Sequence, residues 1–493
     1  MSIKHFVFLS LLLITSGCKF SEPDLPPQID MPCEWKNNSI QEEHPETVQY
    51  WWEIFHDDQL NQLEQIAIER NQIIFGAVSR VKEARYMAMA TRADLFPLIT
   101  TDPNYMETRQ LVRFSVPPVI PNSPKFVVYR NVIKQYTFPI TLNYEADLWG
   151  RFKYGYEAAS LEADAVEAAL YGSLLSLTTE LAEDYYQLRS YDTQIDILKS
   201  TIKTRKEAVD ILSQRYDAGL INYLDVTQAK VELRNAEVEL INVERNRALV
   251  ENAIALLIGD SASDFTLSHN PLGTYLPRIP AGIPSEVLER RPDIRQARKL
   301  LESQMKEVLV AKTAFLPSIH LTGAFGYSGP FLKKLISPHA HYEMVAAFIS
   351  QIIFDGGRIA SNYRASLARF EEAASSYFQQ VLVAFQDVEN ALSNIEYFDK
   401  ELEALTLLVE ASQESYDIST QRYQSGLTDF LDVVNAERSL LNSRRTKAQI
   451  QANQYIGQVE LIRAIGGTWN NIGQCDSCDE DEIIVDNPLD SDC

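Results

Sequence analysis

The chain has 493 residues, 45% of them hydrophobic, and a formal net charge of −23. The length admits two or three ordinary domains or one large repetitive one, and the apolar fraction is too low for a helical membrane protein. The acidity argues against nucleic acid, whose expected footprint is a basic patch, and against electrostatic docking on anionic lipid. An acidic surface or lumen is the simpler reading.

At the start, Met1 to Cys18 carries Lys4, the apolar run Phe6 to Ile14, then Thr15-Ser16-Gly17-Cys18. A basic region, an apolar core and small residues before the cut make a signal peptide. Nine apolar residues fall short of the about 20 that span a bilayer. Ser-Gly-Cys resembles a bacterial lipobox, with Thr15 where Leu is usual. That resemblance implies lipidation (palmitate) of Cys18, and Lys19 in place of an Asp carries no inner-membrane retention signal. The other reading is an ordinary signal cut elsewhere, with Cys18 incidental. No run of 18 apolar residues occurs later, so a membrane crossing by the mature chain requires a closed β-barrel.

Proline organises the rest. None occurs from Ile140 to Asn270 or from His339 to Asn487, and proline breaks helix interiors, so two long helical regions are predicted there. Both contain the same text. Gln214-Arg215-Tyr216-Asp217-Ala218-Gly219-Leu220 returns as Gln421-Arg422-Tyr423-Gln424-Ser425-Gly426-Leu427, and Leu224-Asp225-Val226 as Leu431-Asp432-Val433, always 207 residues later. Gly150-Arg151 matches Gly357-Arg358 at the same offset, so 64 residues separate Arg151 from Arg215 and Arg358 from Arg422. Equal spacing predicts a two-fold repeat holding a helix of fixed length. Leu170, Leu174, Leu177, Leu181, Tyr185 and Leu188 recur at steps of three and four, a coiled-coil seam. Sixty-four helical residues extend roughly 95 Å.

Between each Leu-Pro and Gly-Arg the texture becomes β-like: Phe126–Tyr129 and Tyr136–Tyr144 in the first half, Ser318–Phe325 and Met344–Phe354 in the second. Strands of about 9–11 residues with aromatics near their ends suit a membrane barrel. The first half has 13 extra residues between Pro97 and Gly150 relative to its counterpart, assigned to a loop at Pro117–Pro124. Two strands per half make four per chain, too few to enclose a lumen, so other copies must complete the barrel.

Trp51-Trp52 with Phe55, Asp57 and Leu60; Ala84-Arg85; Phe96-Pro97; Glu145-Ala146-Asp147-Leu148-Trp149-Gly150-Arg151; Arg290-Arg291-Pro292-Asp293-Ile294; Phe315-Leu316-Pro317; Phe354-Asp355-Gly356-Gly357-Arg358; and Ala464-Ile465-Gly466-Gly467 together span nearly the whole mature chain. This combination resembles the outer-membrane efflux protein family, the TolC-like channel-tunnels, and its OprM/NodT-like lipoprotein branch. The resemblance implies an α+β fold: a long coiled-coil α-barrel in the periplasm and a transmembrane β-barrel, 12-stranded in a homotrimer. It implies a bacterial outer-membrane location, no cofactor and no catalysis. Its implied partners are a periplasmic adaptor (membrane fusion protein), an inner-membrane pump and outer-membrane lipid.

Gly150, Arg151, Gly356, Gly357 and Arg358 then mark strand-to-helix turns, with Asp355 capping a helix; the spacing and missing Lys do not fit a phosphate loop. Arg290-Arg291-Pro292-Asp293 reads as helix initiation, with an adaptor or lipid contact as the lesser reading. Arg215, Tyr216, Gly219, Asp225 and Gly426 belong to helix-turn tips where, by resemblance, the adaptor docks. By the same resemblance Asp432, Leu431, Asn435, Tyr423 and Arg422 form the periplasmic aperture. Asn435 stands where a second acidic residue is usual, and Asp225 is equally read as a carboxylate at a helix N-terminus. Cys475-Asp476-Ser477-Cys478 is a weak metal or redox signal and a disulfide is at least as good a reading; pairing among Cys33, Cys475, Cys478 and Cys493 stays open, and no metal site is assigned. His339 and His341 are expected in an exposed loop.

The predicted organisation is a signal peptide at 1–17, a lipid-anchored linker at 18–50, a first efflux repeat at 51–270, a linker at 271–292, a second repeat at 293–467 and an acidic flexible tail at 468–493. The expected function is the outer-membrane channel of a tripartite efflux system. A type I secretion duct and a non-conducting coiled-coil lipoprotein are the alternatives. No nucleophile–base pair, metal cluster or nucleotide loop supports an enzyme.

Overall fold

The computed structural model describes residues 23, 35–36, 50–115, 126–273, 275–280 and 290–467. The predicted signal peptide, Cys18, the other four cysteines, residues 468–493 and the predicted Pro117–Pro124 loop lie outside the described residues. A short 3-10 turn, Trp51–Phe55, is followed by α1 (Asp58–Arg70), α2 (Gln72–Arg92), β1 (Leu98–Thr100), β2 (Asn104–Ser115), β3 (Phe126–Ala146), α3 (Arg151–Asp217), α4 (Tyr223–Leu257), α5 (Pro292–Thr313), β4 (Ser318–Gly329), β5 (His341–Ser350), α6 (Arg358–Gln424) and α7 (Phe430–Ala464). The long helices come in equal pairs. α3 and α6 have 67 residues each, and α4 and α7 have 35 each. Both pairs start 207 residues apart (151 to 358, 223 to 430). The chain divides into two compact units, each gathered from both halves: residues 82–165 with 298–376, and residues 29–81 with 166–297 and 377–493.

The first unit is built on one antiparallel sheet in the order β1-β3-β4-β5, with β2 also pairing with β3. β1 and β2 lie end to end along one edge of β3, so five strands form four lanes. The sequence reading of the first half needs correction here. Phe126–Tyr129 and Tyr136–Tyr144 are one strand, β3, and its partner β2 was not predicted. Charged Glu107, Arg109 and Arg113 hid β2. The structure accommodates Pro139 opposite the gap between β1 and β2, where Pro103 also falls. A residue with no N–H is tolerated where the ladder is interrupted, and the Thr101 hydroxyl donates to the Pro139 carbonyl at 2.7 Å. On β3's other side Pro139 faces Gly326, where a Cβ would lie 2.2 Å from the Phe138 carbonyl oxygen.

The second half also shifts. β5 covers His341–Ser350 rather than Met344–Phe354, and His341, exposed as expected, opens that strand. The first half's additional length is not confined to a loop: β2 and β3 pair from Asn104 to Ser115, whereas β4 stops at Tyr136.

Alternation divides the sheet's faces. Tyr136, Phe138, Ile140, Leu142 and Tyr144 share one face, with register partners such as Phe325 opposite Ile140 and Leu321 opposite Tyr144. Phe138, Ile140 and Phe325 are 46–48% exposed, the pattern of a surface that meets lipid. The other face carries Thr141, Asn143 and Glu145 beside Thr322 and His320, joined in part by a 3.3 Å bond from Thr322 to Asn143. Helices α2, α3, α5 and α6 all connect at one end of the sheet. There Arg85 pairs with Asp164 (2.8 Å) and Lys306 with Glu157 (3.4 Å).

The second unit has an aromatic core of Trp51, Trp52, Phe55, Tyr185, Tyr186 and Tyr455. Asp57 caps α1 and accepts the Tyr185 hydroxyl at 2.7 Å. Among the described residues no helix is long and apolar enough to cross a membrane.

Candidate functional site

In the first unit, the strand-to-helix turns are where the sequence placed them. Gly150, Gly356 and Gly357 have φ of 78°, 69° and 89°. The Asp355 carboxylate accepts from the backbone N–H of Gly357, Arg358 and Ile359 at 2.8–3.1 Å. Those bonds, the one from Ile359 foremost, hold its carboxyl below the ordinary value. Asp147 does the same for α3 through the Lys153 N–H (2.9 Å), and Arg151 pairs with Glu145 at 2.7 Å.

The tips, in the second unit, repeat one backbone motif. At the first, Leu220 N–H donates to the Arg215 carbonyl (2.9 Å) and Gly219 N–H to Tyr216 (2.8 Å). At the second, Leu427 donates to Arg422 (2.9 Å) and Gly426 to Tyr423 (3.0 Å). This six-to-one and five-to-two pair needs a left-handed residue, and Gly219 and Gly426 supply it with φ of 71° and 72°.

The side chains break the symmetry. Tyr216 packs on Tyr223 and Tyr423 on Phe430, ring centroids 5.1 and 5.3 Å apart. Tyr216 and Tyr223 are exposed, while Phe430 is buried with Val433, Val434, Val226 and Leu233 between the two hairpins. The Tyr423 hydroxyl therefore reaches across to donate to Asp225 at 3.2 Å. Burial first, then the Asp225 charge, pushes Tyr423 up to about 12, opposed by Arg215. Asp225 thus serves as an acceptor between hairpins while standing in the first turn of α4, whose cap is Asn222. Asp432 accepts from Thr428. It lines an open groove of about 660 Å³ with Arg422, Asn435, Thr428 and Glu414. Leu431 is 48% exposed. The structure brings Arg422, Asp432 and Asn435 together, and joins Tyr423 to Asp225 rather than to Asp432.

Sequence reasoning missed the ionic seam behind the tips. Arg205, 4% exposed, donates to Glu437 (3.0 Å) and to the Glu232 carbonyl (2.5 Å). Arg438 pairs with Glu232, and Arg445 with Glu239 at 2.8 Å. The seven-residue step shared by Glu232/Glu239 and Arg438/Arg445 is the signal that could have found it. Arg291 also does more than start a helix. It binds Asp293 (2.6 Å), Asp387 (3.0 Å) and the Ala464 carbonyl (3.0 Å), tying α5 to α6 and α7. Burial raises the Asp293 carboxyl, but Arg291 outweighs it and holds that carboxyl below its usual value. Buried Asp192 joins Arg189 (2.7 Å), Arg247 (2.6 Å) and His269 (3.0 Å), fastening the segment after α4.

The chain matches the sequence profile of the outer membrane efflux protein family twice, over residues 63–260 and 283–467. It belongs to the outer membrane efflux protein family. It is therefore a TolC-like outer-membrane channel protein, and its helices and sheet are parts of a transport architecture. The pyoverdine export outer membrane protein OpmQ of Pseudomonas aeruginosa is 26% identical over 476 residues, 96% of this chain and 98% of that one. The probable efflux pump outer membrane protein TtgC of Pseudomonas putida is 27% identical over 85% of each chain. Among solved structures, the outer-membrane channel OprN has a TM-score of 0.80 at 28% identity, over 92% of this chain and 99% of that one. The open state of the Neisseria gonorrhoeae MtrE channel gives 0.76 at 26%, over 92% and 98%.

Proposed function

We propose that this efflux protein is the exit duct of a tripartite export system, a passive conduit formed by three copies. An inner-membrane pump drives it through a periplasmic adaptor. The open sheet carries this reading. Four lanes cannot enclose a lumen, since small barrels need about eight strands. Exposed strand edges are otherwise a liability. Three copies supply 12 lanes, three times the four of one sheet.

A second feature supports assembly. On α4, Leu224, Val231 and Val238 are 56%, 49% and 67% exposed at seven-residue steps, an unpartnered coiled-coil seam. Their counterparts 207 residues on are Leu431, Arg438 and Arg445. The latter two form the ionic seam within the chain; the valines await a second copy. In this reading 51–270 and 293–467 are the two efflux repeats, and lipidated Cys18 anchors the chain. The tips form the periplasmic aperture, with Asp432, Leu431 and Asn435 at the constriction, Arg422 beside them, and Tyr423–Asp225 as a latch.

Planar-bilayer recording with the full chain tests the duct. Discrete openings are expected, together with loss of both conductance and assembly in Val231→Asp/Val238→Asp. A wild-type oligomer that never conducts would instead favour a structural coiled-coil lipoprotein.

A further inference from the structure

The β2–β3 pair continues past the rest of the sheet with a face unlike the remainder of the chain. β4 accompanies β3 only from Ala146 to Tyr136, while β2 pairs with β3 out to Phe126. This extension lies at the end opposite the helices, the exterior side of an outer-membrane channel. Along it the register sets Tyr105 opposite Tyr136, Glu107 opposite Lys134, Arg109 opposite Val132, Leu111 opposite Arg130 and Arg113 opposite Val128. Alternation puts all of these on the face that, lower down, carries Phe138, Ile140 and Leu142. The reverse face of the extension has no charge: Thr108, Gln110, Asn131 and Ile133 are typical of it.

The order along this face is informative. Tyr105 and Tyr136 pack with ring centroids 4.7 Å apart. On β3, Tyr136 and Tyr144, eight residues apart, bracket the apolar Phe138, Ile140 and Leu142 over roughly 26 Å of strand at 3.3 Å per residue, an order of aromatic, apolar and aromatic residues that suits a membrane strand. Immediately beyond the outer tyrosines come Lys134, Arg109, Arg130 and Arg113, against the single carboxylate Glu107. Glu107 is shared by Arg109 (2.6 Å) and Lys134 (3.9 Å). Arg113 lies over the Phe126 ring at 3.2 Å from its centroid. Arg130 has no ion pair among the described residues. The extension therefore bears three more positive than negative side chains, four cations against one carboxylate, in a chain whose net charge is −23.

We propose that this face binds the phosphate groups of the outer-leaflet glycolipid, with Arg109, Arg113, Arg130 and Lys134 as the recognition groups. The proposal rests on the outer-membrane placement and goes beyond conduction. Guanidinium forks match phosphate geometry. The cations start about 7 Å past the tyrosine row and reach about 26 Å along the strands, the zone of charged headgroups. Placement on the lipid side alone is what a headgroup ligand requires; a cargo-steering role would put charge on the lumen side. The net acidity that argued against anionic lipid holds for the whole chain and not for this hairpin.

The test uses the full-length purified oligomer, stripped of co-purifying lipid, and fluorescent lipopolysaccharide micelles. Wild type should bind with a steep salt dependence, and Arg109→Gln/Arg113→Gln/Arg130→Gln/Lys134→Gln about tenfold or more weakly. Dephosphorylated lipopolysaccharide should bind wild type as weakly as the intact form binds the variant. Phosphatidylglycerol vesicles should bind less well than lipopolysaccharide. The charge-keeping variant Arg109→Lys/Arg113→Lys/Arg130→Lys should bind less well than wild type but clearly better than the glutamine variant, separating loss of charge from loss of fold and from loss of the guanidinium fork. Equal binding by wild type and the glutamine variant, indifference to dephosphorylation, or equal capture of phosphatidylglycerol would each overturn the proposal. Conductance recorded on the same samples reports on the duct independently, so a lipid-binding oligomer that does not conduct fails that reading and not this one.

Discussion

The two helical tips share a backbone and differ in company. Both close with the same pair of hydrogen bonds around a left-handed glycine, and both return through 35-residue helices. Yet the first tip shows its tyrosines to solvent, while the second turns Phe430 into a cluster shared by both hairpins and sends Tyr423 to Asp225. The difference follows from which flank each hairpin presents. The second uses Arg438 and Arg445 to meet its sister within the chain, and the first has Val231 and Val238 at the equivalent positions. A repeated sequence thus yields two non-equivalent seams, one ionic and one apolar. Identical local motifs fold alike, whereas substitutions on the flanks decide what each hairpin packs against.

The largest expected effect comes from breaking the ionic seam. Arg205 has Ser412 as its counterpart, so the second half has no equivalent cation, and Arg205 joins carboxylates of both halves. Arg205→Met leaves the Glu232 and Glu437 carboxylates short of their cation, at a cost of about 3 kcal/mol. A denaturant melt of the full chain that moved by less than about 1 kcal/mol would remove Arg205 from the account.

Next in size, Gly219→Ala and Gly426→Ala should each cost about 1–2 kcal/mol, because a Cβ is disfavoured at left-handed φ. Neither added Cβ has a neighbour within 4 Å, so the two costs should match. Clearly unequal melts would mean that the backbones are not equivalent after all.

The tyrosines then separate the tips. Tyr423→Phe loses the bond to Asp225, worth about 1 kcal/mol, and should raise the open probability of the channel. Tyr216→Phe, at the exposed position, should change neither stability nor conductance. Equal behaviour of the two variants would dissolve the asymmetry.

The smallest effect is a pH dependence. Asp184, whose counterpart is the buried Ala391, is pushed up from 3.8 to about 6 by burial and then by Glu180. The folded chain therefore keeps this proton to a higher pH than the unfolded chain, and stability falls as pH rises through that window. Asp184→Asn removes the loss. The variant should gain up to about 1 kcal/mol above pH 6, after allowance for solvent screening, and match wild type below about pH 4. A gain that persisted at low pH would assign the effect to packing.

Much of the fold was legible in the sequence because its signals are local. Proline-free stretches, the 207-residue offset and the Gly-Arg and Arg-Tyr-x-x-Gly-Leu texts led to helices whose ends fall at Arg151, Arg358, Asp217 and Gln424. The cap at Asp355 was equally readable, since a carboxylate two to four residues before three N–H groups needs no distant partner. Strand β2 was not legible. Its charges, Glu107, Arg109 and Arg113, interrupt the apolar texture that marks the other strands, and only the pairing with β3 identifies the segment as part of the sheet.

The sequence by itself determined the lengths of the paired helices, the residues that turn them and the membership of a channel family, because capping, proline exclusion and glycine geometry act within a few residues. Tertiary structure alone decided which aspartate receives the Tyr423 hydroxyl, which arginine is buried between carboxylates and which hairpin face stays apolar. Those outcomes depend on side chains 198 and 232 residues apart, Asp225 with Tyr423 and Arg205 with Glu437. Seven-residue steps in the sequence offer candidate flanks, but only the packed chain fixes which of them meet.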